Sequence, residues 1–261
     1  METVRESAVA GSFYPDEKKH LADLVDSYLS GEDKKNPLPE AIIVPHAGYM
    51  YSGAVAGKGY TSIKQLDIKN ILIIGPAHRV YVNGLAIPDC DAFVTPLGKI
   101  SVNKELYPEL VKLPFISIND EAHKDEHCIE VQLPFLQRLF TSFQIIPVLA
   151  GNADEEQIQT LFDLTSGKID LIIVSSDLSH YNSYETAKNL DRNAANSIEA
   201  LDPFSLESEQ ACGSRPIKGL LLYAKRAGLK VKTLVLQNSG DVSGSRSSVV
   251  GYGSFIFYKH S

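Results

Sequence analysis

Cysteine is scarce in this sequence: Cys90, Cys128 and Cys212 are the only three in 261 residues. They are far apart, odd in number and form no Cys-x-x-Cys pair, which argues against a disulfide scaffold or a structural zinc knuckle. A basic run is also missing. The 25 Lys and Arg are outnumbered by 32 Asp and Glu, giving a net charge of -7, and nothing gathers positive charge for the phosphates of nucleic acid or for anionic lipid. No segment approaches the ~20 consecutive apolar residues that span a bilayer. The amino-terminal METVRESAVAGSFY lacks the apolar centre of a signal peptide. These absences predict a cytoplasmic protein with reduced thiols, and neither nucleic acid nor membrane as a partner. Internal repeats, low-complexity tracts and Pro/Gly-rich linkers are absent too, so residues 1–261 read as a single domain.

Apolar residues make up 44% of the chain, enough to fill a sizeable core. Short apolar, β-branched runs predict strands over 41–45, 70–75, 85–87, 144–148, 170–175, 232–236 and 248–258. Apolar residues at helical spacing predict helices over 16–30, 53–65, 103–113, 128–140, 154–166, 183–201 and 215–227. Because several strands are apolar on both faces, the expected class is α/β: one domain whose central, mainly parallel or mixed β-sheet is flanked by helices on both faces.

There are seven histidines, and three follow predicted strands: His46 in VPHAGYMYSG, His78 in ILIIGPAH and His180 in LIIVSSDLSH. In an open α/β sheet the carboxyl ends of parallel strands form one rim, so residues distant in sequence converge there. His127 and Glu130, in KDEHCIEVQLPFLQRLF, are three apart on a predicted helix and share a face that can look into the same rim. His123 and His127 are four apart, but a zincin helix would carry Glu beside the first His, and this one does not. The loop NSGDVSG offers Asp241. With His46 and His78 it would make two imidazoles and one carboxylate, the facial set that holds non-haem Fe(II) with positions left open.

Taken together, GSFYP, VPHAGYMYSG, GPAH, EHCIEVQLPFL, SSDLSHY and NSGDVSG…VVGYGSF resemble the Memo-like protein family, which is similar in fold to the LigB-type class III extradiol dioxygenases. The resemblance runs from about Arg5 to Tyr258. It implies that His46 and His78 are metal histidines and that His180 is the acid/base histidine of extradiol chemistry. Members are described as metal binders, as phosphotyrosine-peptide binders, or as companions of a radical-SAM protein, which makes such a protein an implied partner. Animal members carry a cysteine in the loop where this chain has residues 238–241, and Asp241 puts a hard ligand there. Hardness favours Fe(II) or Mn(II) over copper, although the set can also hold zinc. Cys212, in ACGSRP at the entry to a helix, reads as a packing residue.

The expected activity is therefore an Fe(II)-dependent oxygenase acting on a small bidentate substrate. His180 would shuttle the proton, Asp177 or Glu130 would orient it, and His127 would donate a hydrogen bond. Tyr49, Tyr51, Arg79 and Tyr181 are expected to line the substrate pocket, with Arg79 available to an anionic group. Two rival readings use the same cleft. One is a non-catalytic module binding a short peptide or ligand; the other is a zinc hydrolase with Glu130 or Asp177 as base.

Overall fold

A computed structural model describes residues 2–31 and 36–259. The elements run β1 (Val4–Arg5), α1 (Lys18–Leu29), β2 (Ala41–Val44), α2 (Tyr49–Thr61), β3 (Asn70–Pro76), β4 (Leu85–Ile87), β5 (Ala92–Thr95), β6 (Gly98–Val102), α3 (Tyr107–Leu110), β7 (Ile116–Ile118) and α4 (Asp120–Lys124). They continue through a 3-10 turn (Glu130–Gln132) into α5 (Leu133–Leu139), β8 (Gln144–Ala150), α6 (Glu155–Thr165), β9 (Leu171–Ser175), β10 (His180–Asn182) and α7 (Tyr184–Glu199). A second 3-10 turn (Ser208–Gln210) precedes α8 (Ser214–Ala227), β11 (Lys230–Asn238), α9 (Ser239–Ser243) and β12 (Val249–Tyr258).

Twelve strands form one mixed, mostly parallel sheet in the order β1-β5-β6-β8-β3-β9-β2-β12-β10, with β11 paired to β12 and β4 to β7 and β8. Its centre, β6-β8-β3-β9-β2, is parallel throughout. Buried on both faces, these strands are apolar without alternation: every residue of Ala41–Val44 and Leu171–Ser175 is buried. Helices cover both faces, as the sequence predicts, α6 packing on α8 and α1 on α2 and α5. No described helix is long and apolar enough to cross a membrane.

Two local differences from the sequence reading matter. The helix expected over 103–113 shrinks to Tyr107–Leu110, because Val102 is still a strand residue and the Asn103 side chain closes a turn on Glu105 N (2.8 Å). The expected start of the second helix at Gly53 moves back to Tyr49. That shift brings Tyr49 and Tyr51 into its first turn, directly behind His46.

The amino-terminal segment is sealed onto the sheet by Glu130. Its carboxylate is fully buried and ion-paired to the buried Arg5, and it accepts hydrogen bonds from Ala8 N (2.8 Å), Val9 N (3.1 Å) and the Tyr14 hydroxyl. Arg5 in turn donates to the carbonyls of His123 and Glu126. Glu130 therefore fastens a loop. It does not face the rim, and the catalytic or base role expected of it is corrected accordingly. Truncation would strand a buried guanidinium and three further donors, and breaking a buried pair costs roughly 3–5 kcal/mol. Glu130→Ala is expected to lose stability on that scale in chemical denaturation, with Arg5→Met Glu130→Leu recovering part of the loss.

Candidate metal centre

Three neighbouring parallel strands build the site. β9 lies between β3 and β2, with Val174 registered against both Ile74 and Ile43. Their chains leave the sheet at one rim and carry His46, His78 and the Asp177–His180 segment there. The ring centroids of His46, His78 and His127 lie 5.2, 5.3 and 4.7 Å apart pairwise. A cavity of about 740 Å³ opens over them, lined also by Phe13, Tyr51, Asp177, His180, Tyr181 and Cys212.

Hydrogen-bond logic fixes which nitrogen of each ring is free. Ser175 Oγ has one proton and gives it to Cys128 O (2.6 Å), a group that can only accept, while Gln132 Nε2 donates to the same Oγ (2.8 Å). The 3.0 Å contact between His46 Nδ1 and Ser175 Oγ must then be donated by the imidazole, leaving the lone pair on Nε2. His78 Nδ1 donates to Glu126 Oε1 (2.9 Å), and His180 Nδ1 to Leu178 O (2.8 Å). His127 Nδ1 lies 3.1 Å from Glu126 Oε1, at ion-pair distance but without hydrogen-bond alignment. The three donating rings are tied off at Nδ1, and each keeps an Nε2 lone pair. Burial, reinforced by His127 and His78, pushes His46 well below 6.5, so this ring is neutral at physiological pH.

Glu126, which the sequence reading passed over, organises two of these rings. Its buried carboxylate accepts His78 N (2.6 Å) and His78 Nδ1, and also His127 N (2.9 Å) and Cys128 N (3.1 Å). Burial alone would raise its pKa, but these bonds outweigh burial and hold the carboxyl far below the usual range. Glutamate beside histidine in DEHC was the available signal, since a carboxylate commonly fixes a ligand imidazole through its other nitrogen.

The third ligand position is corrected as well. Asp241 does not reach the histidines: its Oδ1 accepts from Tyr184 (2.6 Å) and its Oδ2 from Asn238 N (2.9 Å), so it closes the turn at α9 on the exposed side. In its place stands Cys212, whose Sγ lies 3.2 Å from His46 Nε2. One ligand atom each from His46, His78 and Cys212 falls within 4.8 Å of the others, and the same holds for His78, Glu126 and His127. Two imidazoles and a thiol form a donor set for a borderline or soft first-row ion. Burial, then the neighbouring Asp177, pushes the thiol up to about 12, and a cation at this point would lower it again.

The approach of Cys212 depends on Gly213: a Cβ there would sit 2.6 Å from Ser176 Cβ, so only glycine lets this corner close onto the end of β9. The 166-residue separation from His46 hid the contact in sequence.

Asp177 is at the rim, but in a different role from the one expected. Its Oδ1 accepts His46 N (2.8 Å) and Ala47 N (3.2 Å), fixing the corner that carries His46. His180 is oriented instead by Leu178 O. Tyr51 and Tyr181 line the cavity, Tyr181 78% exposed and in the left-handed region at φ 59°. Tyr49 does not: it is buried with its hydroxyl on Val131 O (2.6 Å). Arg79 is exposed and outside the cavity lining. His123 is buried with Nε2 on Ala86 O (3.1 Å), apart from the cluster.

A parallel-centred α/β sheet with imidazoles and a thiol gathered at its carboxyl rim defines a class of cleft proteins, and comparison with known proteins narrows the class. The family model described as "Memo-like protein" matches residues 5–256. MEMO1 family protein TV1383 of Thermoplasma volcanium is 36% identical, covering 97% of this chain and 98% of its own. The MEMO1 family proteins of Methanosarcina mazei (37% identical) and Aquifex aeolicus (35%) match over 97% of this chain and 98% and 99% of theirs. The chain belongs to the Memo-like family. Among solved structures, an uncharacterized protein, JW3007 from Escherichia coli K12, superposes with a TM-score of 0.56 over 83% of this chain and 98% of its own. At 11% identity this shows a shared fold alone.

The segment carrying His180 is held by Asp191, whose Oδ1 accepts Ser179 N (3.0 Å). Burial raises Asp191 to about 6 from 3.8. The unfolded chain releases this proton near pH 4 and the folded chain near 6, so folding stability falls as pH rises across that window, by up to about 3 kcal/mol, and stays level above it. Asp191→Asn, which keeps the acceptor, is expected to flatten the decline between pH 4 and 6 in urea denaturation.

Proposed function

We propose that this protein is a non-haem metal enzyme of oxygenase type: Fe(II) held by His46, His78 and Cys212 acting on a small bidentate substrate, with His180 as the acid/base. The observation that carries this reading is the convergence of two Nε2 lone pairs and one thiol at the rim of a cavity with room for a substrate. A binding cleft would gain little from several imidazoles facing one point.

Bound Fe(II) would bring a substrate diol and O2 together and relay electrons from the diol, the net reductant, to O2, both of whose oxygen atoms would end in the product. The chain's own groups do the rest. His180, with its Nδ1 proton committed to Leu178 O, offers Nε2 to a substrate hydroxyl, where an imidazole can take a proton and return it. Glu126 holds His78 and the backbone of His127 in place. Phe13, 4.7 Å from the His127 ring, closes one side of the cavity against water. Tyr51 and Tyr181 supply aromatic walls.

One observation favours a second reading. With Cys212 in place of Asp241, the set departs from two histidines and a carboxylate, and the hardness argument for Fe(II) or Mn(II) over copper lapses. Imidazole and thiolate ligands with an open position also suit a catalytic zinc ion, which would make the enzyme a hydrolase.

Metal analysis of protein purified without added metal, followed by oxygen uptake with catechols after anaerobic Fe(II) loading, separates the readings. The oxygenase reading expects bound iron and uptake that falls at least a hundredfold in His180→Ala with iron content unchanged. It also expects metal affinity to fall 10- to 100-fold in Glu126→Gln, fall further in Cys212→Ala, and hold in Asp241→Asn. Stoichiometric zinc without uptake would install the hydrolase reading. An empty site that Fe(II) cannot fill would leave a ligand-binding cleft.

A further inference from the structure

A second cavity, of about 580 Å³, lies along the same rim over the ends of β3 and β8. Its walls come from Pro76–Ala77 and Val80–Val82 after β3, from Ala150–Asn152 after β8, and from the start of α8. Cys212 belongs to the walls of both cavities, so they abut at this residue.

The composition of this wall is unlike the rest of the molecule. In a chain of net charge -7, the lining contains no carboxylate and one cation, Arg215. Arg215 donates Nη1 to Ala153 O (2.8 Å) and makes no ion pair among the described residues, so its guanidinium is anchored at one nitrogen and otherwise available. Ser214 also lines the cavity. It is only 6% exposed, and its hydroxyl has no hydrogen-bond partner among the described residues. A polar group that deep is ordinarily satisfied, and one left open onto a cavity is satisfied by what enters it.

Both residues begin α8, a 14-residue helix, whose amino end carries partial positive charge. Gly213 N is taken by Ser176 Oγ, Ser214 N by Ala211 O and Ile217 N by Gly213 O, while Pro216 has no N–H. That leaves the Arg215 amide as the first-turn donor with no acceptor among the described residues. Beside these donors the wall turns apolar, with Val82 buried and Tyr81 78% exposed.

We propose that this cavity is an oxyanion subsite. A carboxylate or phosphate group would be held by the Arg215 guanidinium, the Ser214 hydroxyl and the amino end of α8, with the body of the ligand against Tyr81. The site needs no metal, and it goes beyond the reading of the histidine cluster without resting on it.

The test uses the full-length chain stripped of metal by chelation, so its outcome is independent of whether the cluster holds iron, zinc or nothing. Inorganic phosphate, acetate and glycerol 3-phosphate are titrated at constant ionic strength while the backbone amides are followed by NMR. The expected result is a saturable shift of the amides of residues 213–215 with at least one of the three, weakened about tenfold or more in Arg215→Gln, the scale of one charge-assisted hydrogen bond. Ser214→Ala should weaken it too, and it gives an independent reading should Arg215→Gln fold poorly. Acetate alone would make the ligand a carboxylate. Glycerol 3-phosphate binding more tightly than inorganic phosphate, with the difference lost in Tyr81→Ala, would make it a phosphate ester; the reverse order would make it free phosphate. The proposal is overturned if no oxyanion shifts these amides saturably, or if the affinity is the same in both variants.

Discussion

The Nδ1 protons of His46, His78 and His180 go to acceptors fixed by the fold. Ser175 can only accept from His46 because its own proton is committed to Cys128 O; Glu126 accepts from His78, and Leu178 O from His180. Each imidazole is thereby locked in one tautomer with its lone pair on Nε2. A cluster of free imidazoles would sample both tautomers and several ring flips, and ordering it around a ligand would consume much of the binding energy. Here the ordering is done by folding.

That locking reaches well into the core. Gln132, fully buried, donates to Pro45 O (3.0 Å) and to Ser175 Oγ and accepts from Tyr60 (2.8 Å), so it ties the exits of β2 and β9 to helix α2. Glu130, two residues earlier, fastens residues 8–14 from the other side, and Tyr49 N donates to Phe13 O (2.7 Å). A single short turn, Glu130–Gln132, thus supports the floor of the cleft and the loop that brings Phe13 to its wall. Polar residues buried this completely cost desolvation. Their hydrogen bonds offset that cost, and what they add is a unique arrangement of the groups above them.

How much of this could be read from the sequence follows from the range of the interactions. The central strands 41–44, 70–76 and 171–175 are legible because unbroken apolar, β-branched runs have one good burial solution, and the rim position of His46, His78 and His180 follows from parallel topology. The strands Ala92–Thr95 and Gly98–Val102 escaped: they are short and joined by a tight turn at Pro96–Leu97, where the pattern carries little periodicity. Site residues fixed by contacts across the chain were least legible. Asp241 fits a ligand by residue type, but it serves its own turn through Asn238 N. Cys212 looks like a packing residue by position, and only the closure of Gly213 onto Ser176 brings it to His46.

In the proposed centre, a thiol in place of the expected carboxylate would also change the pH dependence of binding. A carboxylate holds its charge at any physiological pH, whereas a thiol pushed up by burial stays protonated until a cation draws the proton off. Binding of the proposed cation through Cys212 would therefore release a proton, and the affinity of such a centre would rise with pH in a way that a site of two histidines and a carboxylate would not show. Asp177 adds to the effect. A negative charge there opposes a bare thiolate but would favour a bound cation, so in the proposed centre the protonated empty state and the deprotonated filled state would both be stabilised at the expense of anything between them.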